Sequence, residues 1–209
     1  MPIDKFPSVE NATEDGIVAI GGDLAIESIL LAYSQGIFPW PINEQYPIAW
    51  FSPDPRGILE YDRLHISKSM QKLIKKKHFE FAINRNFKEV IYQCAHGRPD
   101  QSATWITEAL MDAYIKLHNR GYAYSAETYH NGKLCGGLYG FCNGHIISGE
   151  SMFYHESNAS KFALINLMKY LHSKGINWID TQMITSVVKN LGGREIPRTD
   201  FLKKLKNAM

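Results

Sequence analysis

Apolar residues recur along this chain at the spacing of helices in some stretches and at the spacing of strands in others. The first helical stretch repeats at intervals of three and four and contains Ile26, Ile29, Leu30 and Tyr33. Gly36 follows it, and glycine ends helices readily because it adopts the left-handed cap conformation at low cost. The longest helical pattern runs from about residue 159 to residue 174 and ends at Gly175.

Alternating apolar residues in the middle of the chain predict three antiparallel strands. Residues 122–129 and 133–141 are joined by Asn131-Gly132, a pair that favours the positive φ angles of a tight hairpin. A second turn of the same kind, Asn143-Gly144, leads into residues 145–153. Three glycines inside the middle strand indicate close approach by backbone or by a ligand: Gly136, Gly137 and Gly140. The pattern therefore predicts a β-meander.

The segment after the meander has the pattern strand, helix, strand. Gly149–Phe153 and Trp178–Gln182 flank the longest helix, so we expect these two strands to lie parallel and side by side. Glu150, Asp180 and Gln182 are polar residues in these otherwise apolar strands, where a buried polar group is costly unless it is paired. Open α/β sheets bind ligands at the ends of their strands, so the pattern predicts a polar site at this end of the sheet.

The composition is that of an ordinary globular protein. A length of 209 residues is enough for one domain or for a small domain and a larger one. A net charge of +2 excludes a generally basic surface, so a polyanionic partner would need a local positive patch. Three cysteines without paired spacing argue against a disulfide framework and a zinc site, and favour a reducing cytoplasm. The N-terminal residues lack the apolar run of a signal peptide, and no window has the character of a membrane span. We therefore expect a cytoplasmic protein with no membrane partner.

Five short motifs occur in order along nearly the whole chain. They are Gly36-Ile-Phe-Pro-Trp40, Trp50-Phe-Ser-Pro-Asp-Pro-Arg56, Thr104-Trp-Ile106, Gly149-Glu-Ser-Met-Phe153 and Ile179-Asp-Thr-Gln182. Each alone is weakly specific, but together and at this spacing they resemble the leucyl/phenylalanyl-tRNA–protein transferase family. The resemblance implies an α+β fold with a small N-terminal domain and a GCN5-related acyltransferase-like (GNAT-like) mixed sheet flanked by helices. We place the boundary shortly after the second motif, which predicts domains of residues 1–61 and 62–209.

The resemblance also implies an activity. The family transfers leucine or phenylalanine from aminoacyl-tRNA to proteins that begin with arginine or lysine, which marks them for degradation under the N-end rule. The reaction is aminolysis of an activated ester, so it needs no ATP and no cofactor, and the chain indeed lacks a P-loop pattern. It requires a neutral amine, close approach to the ester and stabilisation of a tetrahedral oxyanion.

By resemblance, the catalytic residues are Asp180, Gln182 and Glu150. Asp180 and Gln182 are two residues apart, so we expect them on one face, with the Asp180 carboxylate at the pocket rim to bind the cationic acceptor. The Gln182 carboxamide would contact the attacking amine, and Glu150 would bind the acceptor or the α-amine of the aminoacyl group. Which carboxylate acts as a base, if either does, stays open. Without the resemblance, Glu150 would be interpreted as half of a buried ion pair.

Three further residues bear on this site. Thr181 stands where the family usually has cysteine, and strand alternation predicts that its side chain points away from the catalytic face. Val187 stands where the family tends to have histidine, which weakens a mechanism that uses an imidazole there. Arg56 is expected to pair with Asp54 rather than to bind phosphate.

Leucine and phenylalanine require an apolar pocket, which discriminates by size only modestly. The resemblance places substrate-binding positions at Trp40, Trp105, Leu138, Ile147, Met152, Leu164, Leu167, Leu171, Ser173 and Ile179. Several of these are ordinary core positions by periodicity, and Trp105 would equally suit a core anchor. Met152 is the strongest pocket candidate, because a flexible thioether adapts to either side chain.

The most basic window of the chain lies on a short amphipathic helix that begins at Ser67. Its cations are Lys68, Lys72, Lys75, Lys76 and Lys77. Such a run is usually a solvated helix face. The alternative is a tRNA-binding surface, because lysine contacts to phosphate give sequence-independent, salt-sensitive affinity.

Two other functions stay open at this point. A coenzyme A-dependent N-acetyltransferase would share the fold, but residues 153–161 contain no glycine for a pyrophosphate-binding turn. A non-catalytic tRNA-binding module would bind tRNA without turnover. For the transferase we expect a monomer whose partners are aminoacyl-tRNA and proteins with N-terminal arginine or lysine.

Overall fold

The computed structural model describes residues 2–41, 45–97 and 104–208. Within these ranges the chain forms ten strands and seven α-helices, in an order that mixes the two. They are β1 (Ile17–Ile20), α1 (Ile26–Ser34), β2 (Phe38–Trp40), β3 (Ala49–Phe51), β4 (Arg56–Glu60), α2 (Lys68–Lys75), β5 (Glu80–Ile83), α3 (Phe87–His96), α4 (Glu108–Asn119), β6 (Ala123–His130), β7 (Lys133–Phe141), β8 (Ser151–Tyr154), α5 (Ala159–Ser173), β9 (Trp178–Gln182), α6 (Ser186–Asn190), β10 (Arg194–Ile196) and α7 (Arg198–Ala208). The predicted α+β class is confirmed.

The largest sheet has the order β5-β6-β7-β8, and all its pairs are antiparallel. The predicted hairpin between β6 and β7 is confirmed, since Asn131 and Gly132 both have positive φ angles of 49° and 76°. The glycines of β7 allow two close approaches. A side chain at Gly136 would collide with Ala159 at the start of α5, and one at Gly140 would collide with the Ser148 carbonyl oxygen.

The predicted pairing of the two strands around α5 is correct at one point only. A single parallel bridge joins Ser148 to Asp180, where the Gly149 N–H donates to the Asp180 carbonyl and the Asp180 N–H to Ile147. Beyond it, β8 stays with β7, whereas β9 pairs antiparallel with β4 in a second sheet of order β10-β4-β9. The two strands therefore meet just before β8 and then separate.

The N-terminal part contains a third sheet, of order β1-β3-β2. Phe38–Trp40, in the first of the five motifs, is an edge strand that pairs with β3 in spite of Pro39. An edge strand can accommodate a proline, whose missing N–H then costs no ladder hydrogen bond. The predicted domain boundary near residue 61 stays a prediction, although β4 pairs with strands from the end of the chain.

The buried apolar residues form two hydrophobic cores. The first gathers α1, α3, α4 and α7 around fully buried residues such as Trp50 and Tyr33. The second packs α5 on the large sheet and includes Leu138, Leu164 and Ile179. No helix in the described ranges is long and apolar enough to cross a membrane. Cys94, Cys135 and Cys142 form no disulfide bond within those ranges.

Candidate active site

Glu150 lies where the two strands separate, and its carboxylate receives three hydrogen bonds. Tyr33 Oη donates to Oε1 over 2.6 Å, Ser148 Oγ donates to the same oxygen, and Gln182 Nε2 donates to Oε2 over 2.8 Å. Tyr114 Oη lies 2.6 Å from Tyr33 Oη, so it donates in turn to Tyr33. The alternative of an ion pair for Glu150 is therefore wrong, since neutral donors hold this carboxylate.

Burial raises the pKa of the Glu150 carboxyl, and the nearby Asp180 charge adds to this, while the donors Ser148, Tyr33 and Gln182 act in the opposite direction. Burial also raises the pKa of the Tyr33 and Tyr114 hydroxyls well above the ordinary tyrosine value. Both hydroxyls therefore stay protonated at neutral pH and remain hydrogen-bond donors.

Asp180 forms a buried, bidentate ion pair with Arg56. The guanidinium donates from Nε to Oδ1 over 2.9 Å and from Nη2 to Oδ2 over 2.6 Å, and the two side chains are 0% and 2% exposed. Arg56 also donates to the Gly36 carbonyl over 3.0 Å and lies between the rings of Phe38 and Phe201. The expectations that Asp180 lies at a pocket rim and that Arg56 pairs with Asp54 were both wrong.

Gln182 connects the ion pair to the Glu150 network. Its backbone N–H donates to Asp180 Oδ1 over 2.9 Å, and it has a left-handed backbone with φ of 61°. This turn at the end of β9 breaks strict alternation, so Asp180 and Gln182 do not project together as expected. Asp180 points to Arg56, while the Gln182 side chain reaches Glu150. Asp180 thereby fixes the backbone that presents the carboxamide.

A cavity of about 110 Å³ adjoins this network. Its apolar walls include Leu138, Met152, Leu164, Ile179 and Val188, and its polar lining includes Glu150, Ser151, Thr181 and Thr185. Four of the predicted pocket residues therefore line one cavity. The others lie elsewhere: Ile147, Leu167 and Leu171 are core residues, and Ser173 is bonded to the Tyr170 carbonyl.

Thr181 lines this cavity, which corrects the expectation that it points away from the site. Asp180, the residue before it, points to Arg56 on the opposite side of β9, so the cavity lies on the face that carries Thr181. The Thr181 hydroxyl oxygen is buried and has no hydrogen-bond partner among the residues that the structure describes. It is therefore a polar atom beside the cavity whose hydrogen-bonding capacity is unused by the described residues.

Trp40 and Trp105 form an aromatic pair outside the cavity. Their ring centroids are 5.7 Å apart, Trp40 also contacts Phe51 at 5.6 Å, and both tryptophans are partly exposed. Neither lines the cavity beside Glu150. They form a partly exposed aromatic surface that packs against the first core and is separate from the cavity.

The predicted basic helix is confirmed as α2, with the Ser67 side chain capping the Met70 N–H. All five of its predicted lysines are exposed: Lys68, Lys72, Lys75, Lys76 and Lys77. Met70 is its buried residue, packed in the second core. The positive charge therefore faces solvent.

Sequence reasoning missed four members of the site: Tyr33, Tyr114, Ser148 and, in this role, Arg56. Tyr33 and Tyr114 occupy the apolar faces of predicted helices, so they look like core residues. The sequence does show that Arg56 is a charged residue at the start of an apolar stretch, directly after a proline-rich segment. A charge in that position calls for a buried partner, but the sequence does not say which.

Known proteins are similar to this chain over almost all of its length. A family model described as leucyl/phenylalanyl-tRNA protein transferase matches residues 58–206, and one for the N-terminal domain of that family matches residues 22–54. The chain is 48% identical over 203 residues to the leucyl/phenylalanyl-tRNA–protein transferase of Flavobacterium johnsoniae, covering 97% of this chain and 95% of that protein. It is 45% identical over 206 residues to the protein of the same name from Pseudoalteromonas atlantica, covering 98% and 88%.

Solved structures that are similar to the chain share little sequence with it. One is a GCN5-related N-acetyltransferase-like protein from Streptococcus suis, with 15% identity, a TM-score of 0.40, and coverage of 81% of this chain and 64% of that chain. Another is L-PGS from Bacillus licheniformis, with 15% identity, a TM-score of 0.43, and coverage of 75% of this chain and 50% of that chain.

Proposed function

Because the chain belongs to the leucyl/phenylalanyl-tRNA–protein transferase family, we propose that it transfers leucine or phenylalanine from aminoacyl-tRNA to proteins that begin with arginine or lysine. The observation that carries this proposal is the contact between Gln182 and Glu150 beside an apolar cavity. That arrangement offers one place for an apolar side chain and, next to it, polar groups for an amine and an ester.

The aminoacyl group binds with its side chain in the cavity. Leu138, Met152 and Leu164 provide an apolar wall, and Met152 adapts to leucine or phenylalanine through its flexible thioether. In an aminoacyl ester the α-amine is attached to the carbon that carries the side chain. Glu150 lines the same cavity, so it is suitably placed to hold that α-amine.

The Glu150 carboxylate has capacity for this additional donor. Two carboxylate oxygens accept about four hydrogen bonds. Among the residues that the structure describes, Tyr33 and Ser148 donate to Oε1, whereas Gln182 donates to Oε2. One acceptor position on Oε2 is therefore open to a substrate amine.

Gln182 orients the nucleophile. Its amide nitrogen is directed at Glu150, so its carbonyl oxygen is the part that can accept a hydrogen bond from the attacking amine. The amine nitrogen attacks the ester carbonyl, the bond to the ribose oxygen breaks, and a proton moves from the amine to that oxygen. Asp180 acts as a positioning residue, because it holds the Gln182 backbone and is itself occupied by Arg56.

The tRNA phosphates and terminal base bind at surfaces outside the cavity. The exposed lysines of α2 and the two residues after it supply contacts to phosphates: Lys68, Lys72, Lys75, Lys76 and Lys77. Trp40 and Trp105 offer aromatic faces on which the terminal base can stack. The reaction needs no cofactor. We expect the protein to act as a monomer in the reducing cytoplasm, in keeping with three cysteines that form no disulfide bond in the described residues.

The coenzyme A alternative has less support. It needs consecutive backbone N–H groups for a pyrophosphate at the start of the helix after β8. That segment has no glycine, and the side chain of Glu156 places a negative charge beside it.

Transfer of labelled leucine from leucyl-tRNA tests the proposal directly. One acceptor protein begins with arginine and a second, otherwise identical, begins with alanine. Label in the first alone is the expected result. Absence of label in both, with the enzyme folded and bound to tRNA, would favour the binding module instead, and acetyl transfer from acetyl-coenzyme A would favour the acetyltransferase.

A further inference from the structure

Away from the active site, three side chains with metal-binding atoms meet at the edge of the large sheet. His78, His130 and Glu156 each offer one ligand atom, and these atoms all lie within 4.8 Å of one another. His130 Nδ1 is 2.9 Å and His78 Nε2 is 3.6 Å from the same oxygen, Glu156 Oε2. We propose that these three residues bind a divalent transition-metal ion of the zinc class.

The distances suit such an ion. Zinc bonds to imidazole nitrogen and carboxylate oxygen are about 2.0–2.2 Å long, so two ligands of a tetrahedral ion lie roughly 3.3–3.5 Å apart. The separations from Glu156 Oε2 are 2.9 Å to His130 Nδ1 and 3.6 Å to His78 Nε2, one below and one above that range. Small side-chain rotations therefore bring the three atoms to coordinating distance. Two imidazoles and a carboxylate leave a fourth position open, as in zinc sites that also bind water.

The backbone already holds each residue in place. His130 is the last residue of β6, before the hairpin turn. Lys77 has a left-handed backbone with φ of 52°, which turns the chain from α2 so that His78 meets His130, with ring centroids 4.0 Å apart. The Glu156 N–H donates to the Cys135 carbonyl of β7 over 3.3 Å. The site therefore needs little reorganisation to bind an ion.

The three side chains are accessible to an ion from solution, with exposures of 41%, 26% and 40% for His78, His130 and Glu156. Without metal, His130 shares a proton with Glu156 through Nδ1. A metal ion would replace the hydrogen in that contact, because a histidine ligand binds metal through an unprotonated nitrogen. His78 also lines a groove with Lys72 and Lys76, so a bound cation would extend the positive surface of α2.

Isothermal titration of the untagged full-length protein with Zn²⁺ at pH 7.5 tests the proposal, with Co²⁺ absorption spectra as a second readout of coordination. We expect one Zn²⁺ per chain and Co²⁺ bands of a four-coordinate site. His78→Ala, His130→Ala and Glu156→Gln should each weaken binding at least about tenfold, the loss that follows removal of even an outer partner of a metal site.

His155→Ala is the matched control. His155 is adjacent to Glu156 in sequence, but its ring contacts Gln93 of α3 at 3.0 Å, so this variant should bind Zn²⁺ like the original protein. Circular dichroism of each variant establishes that it is folded. Equal Zn²⁺ affinity in all four variants, or no binding below millimolar Zn²⁺, would overturn the proposal and leave a histidine–carboxylate ion pair.

Discussion

The Glu150 site and the lysine surface of α2 are built in opposite ways. At the site, the charged groups have specific partners, as with Arg56 and Asp180, which are 0% and 2% exposed and pair with each other. On α2 and the two residues after it, five lysines face water, and none of them has an ion pair in the described residues. Buried partners depend on each other, whereas exposed charges act nearly independently and are screened by salt. A single change should therefore have large, specific effects at the site and small, additive ones on α2.

Within the site, the two carboxylates also differ. Asp180 forms an ion pair with the Arg56 guanidinium and is not among the residues that line the cavity. Glu150 accepts hydrogen bonds from neutral donors and does line the cavity. A carboxylate that is already in an ion pair stabilises the fold, whereas one with an open acceptor position can bind a substrate amine. This difference separates the first two predictions.

Asp180→Ala should cause the largest loss of stability. It leaves the Arg56 guanidinium buried without its partner, which typically costs about 3–5 kcal/mol. Urea denaturation measures the free energy of unfolding. Asp200→Ala is the matched control, because it removes an exposed partner of Lys203 and should leave stability close to the original. A similar small effect for both variants would mean that burial does not distinguish the two regions.

Glu150→Gln should instead lose activity and largely keep the fold. The amide retains the size of the side chain but no longer attracts a substrate amine, and we expect leucine transfer to fall at least about 100-fold. Steady-state transfer to the arginine acceptor measures this loss. Glu195→Gln, at an exposed position on β10, should be unaffected. Activity within a few fold of the original would exclude Glu150 from the reaction.

Tyr33→Phe should shift the pH dependence of transfer. The Tyr33 hydroxyl lowers the pKa of Glu150, while burial raises it, so removal of the hydroxyl raises that pKa further. If ionised Glu150 is needed, activity falls as pH drops through its pKa, and this acid limb should move to higher pH in the variant. The pH profile of transfer between pH 5 and 8 records the shift. An unmoved acid limb would show that another group controls it.

Replacement of Lys75, Lys76 and Lys77 by alanine should have the smallest effect per residue. Each lost phosphate contact reduces the slope of log affinity against log salt by about 1. Binding of leucyl-tRNA at several salt concentrations measures that slope. Replacement of Lys88, Lys116 and Lys133, which are equally exposed, removes the same charge elsewhere. Equal slopes for both triple variants would place the tRNA away from α2.

The sequence alone determined the local elements and the chemical class of the site. Helix α5, the Asn131-Gly132 hairpin and the Ser67 cap of α2 follow from spacing and turn chemistry within a few residues, so neighbouring sequence decides them. The five motifs indicated the family, and Glu150 and Gln182 were identified as polar residues in apolar strands.

Only the tertiary structure decided which polar groups meet. Arg56 and Asp180 are 124 residues apart, Tyr33 and Glu150 are 117 apart, and His78, His130 and Glu156 come from three separate segments. Strands β8 and β9 separate after one bridge, and the backbone at Gln182 is left-handed. Both features give side chains directions that differ from those predicted by strand alternation. A buried charge requires a partner, but any segment that packs beside it can supply one, so local sequence cannot specify which.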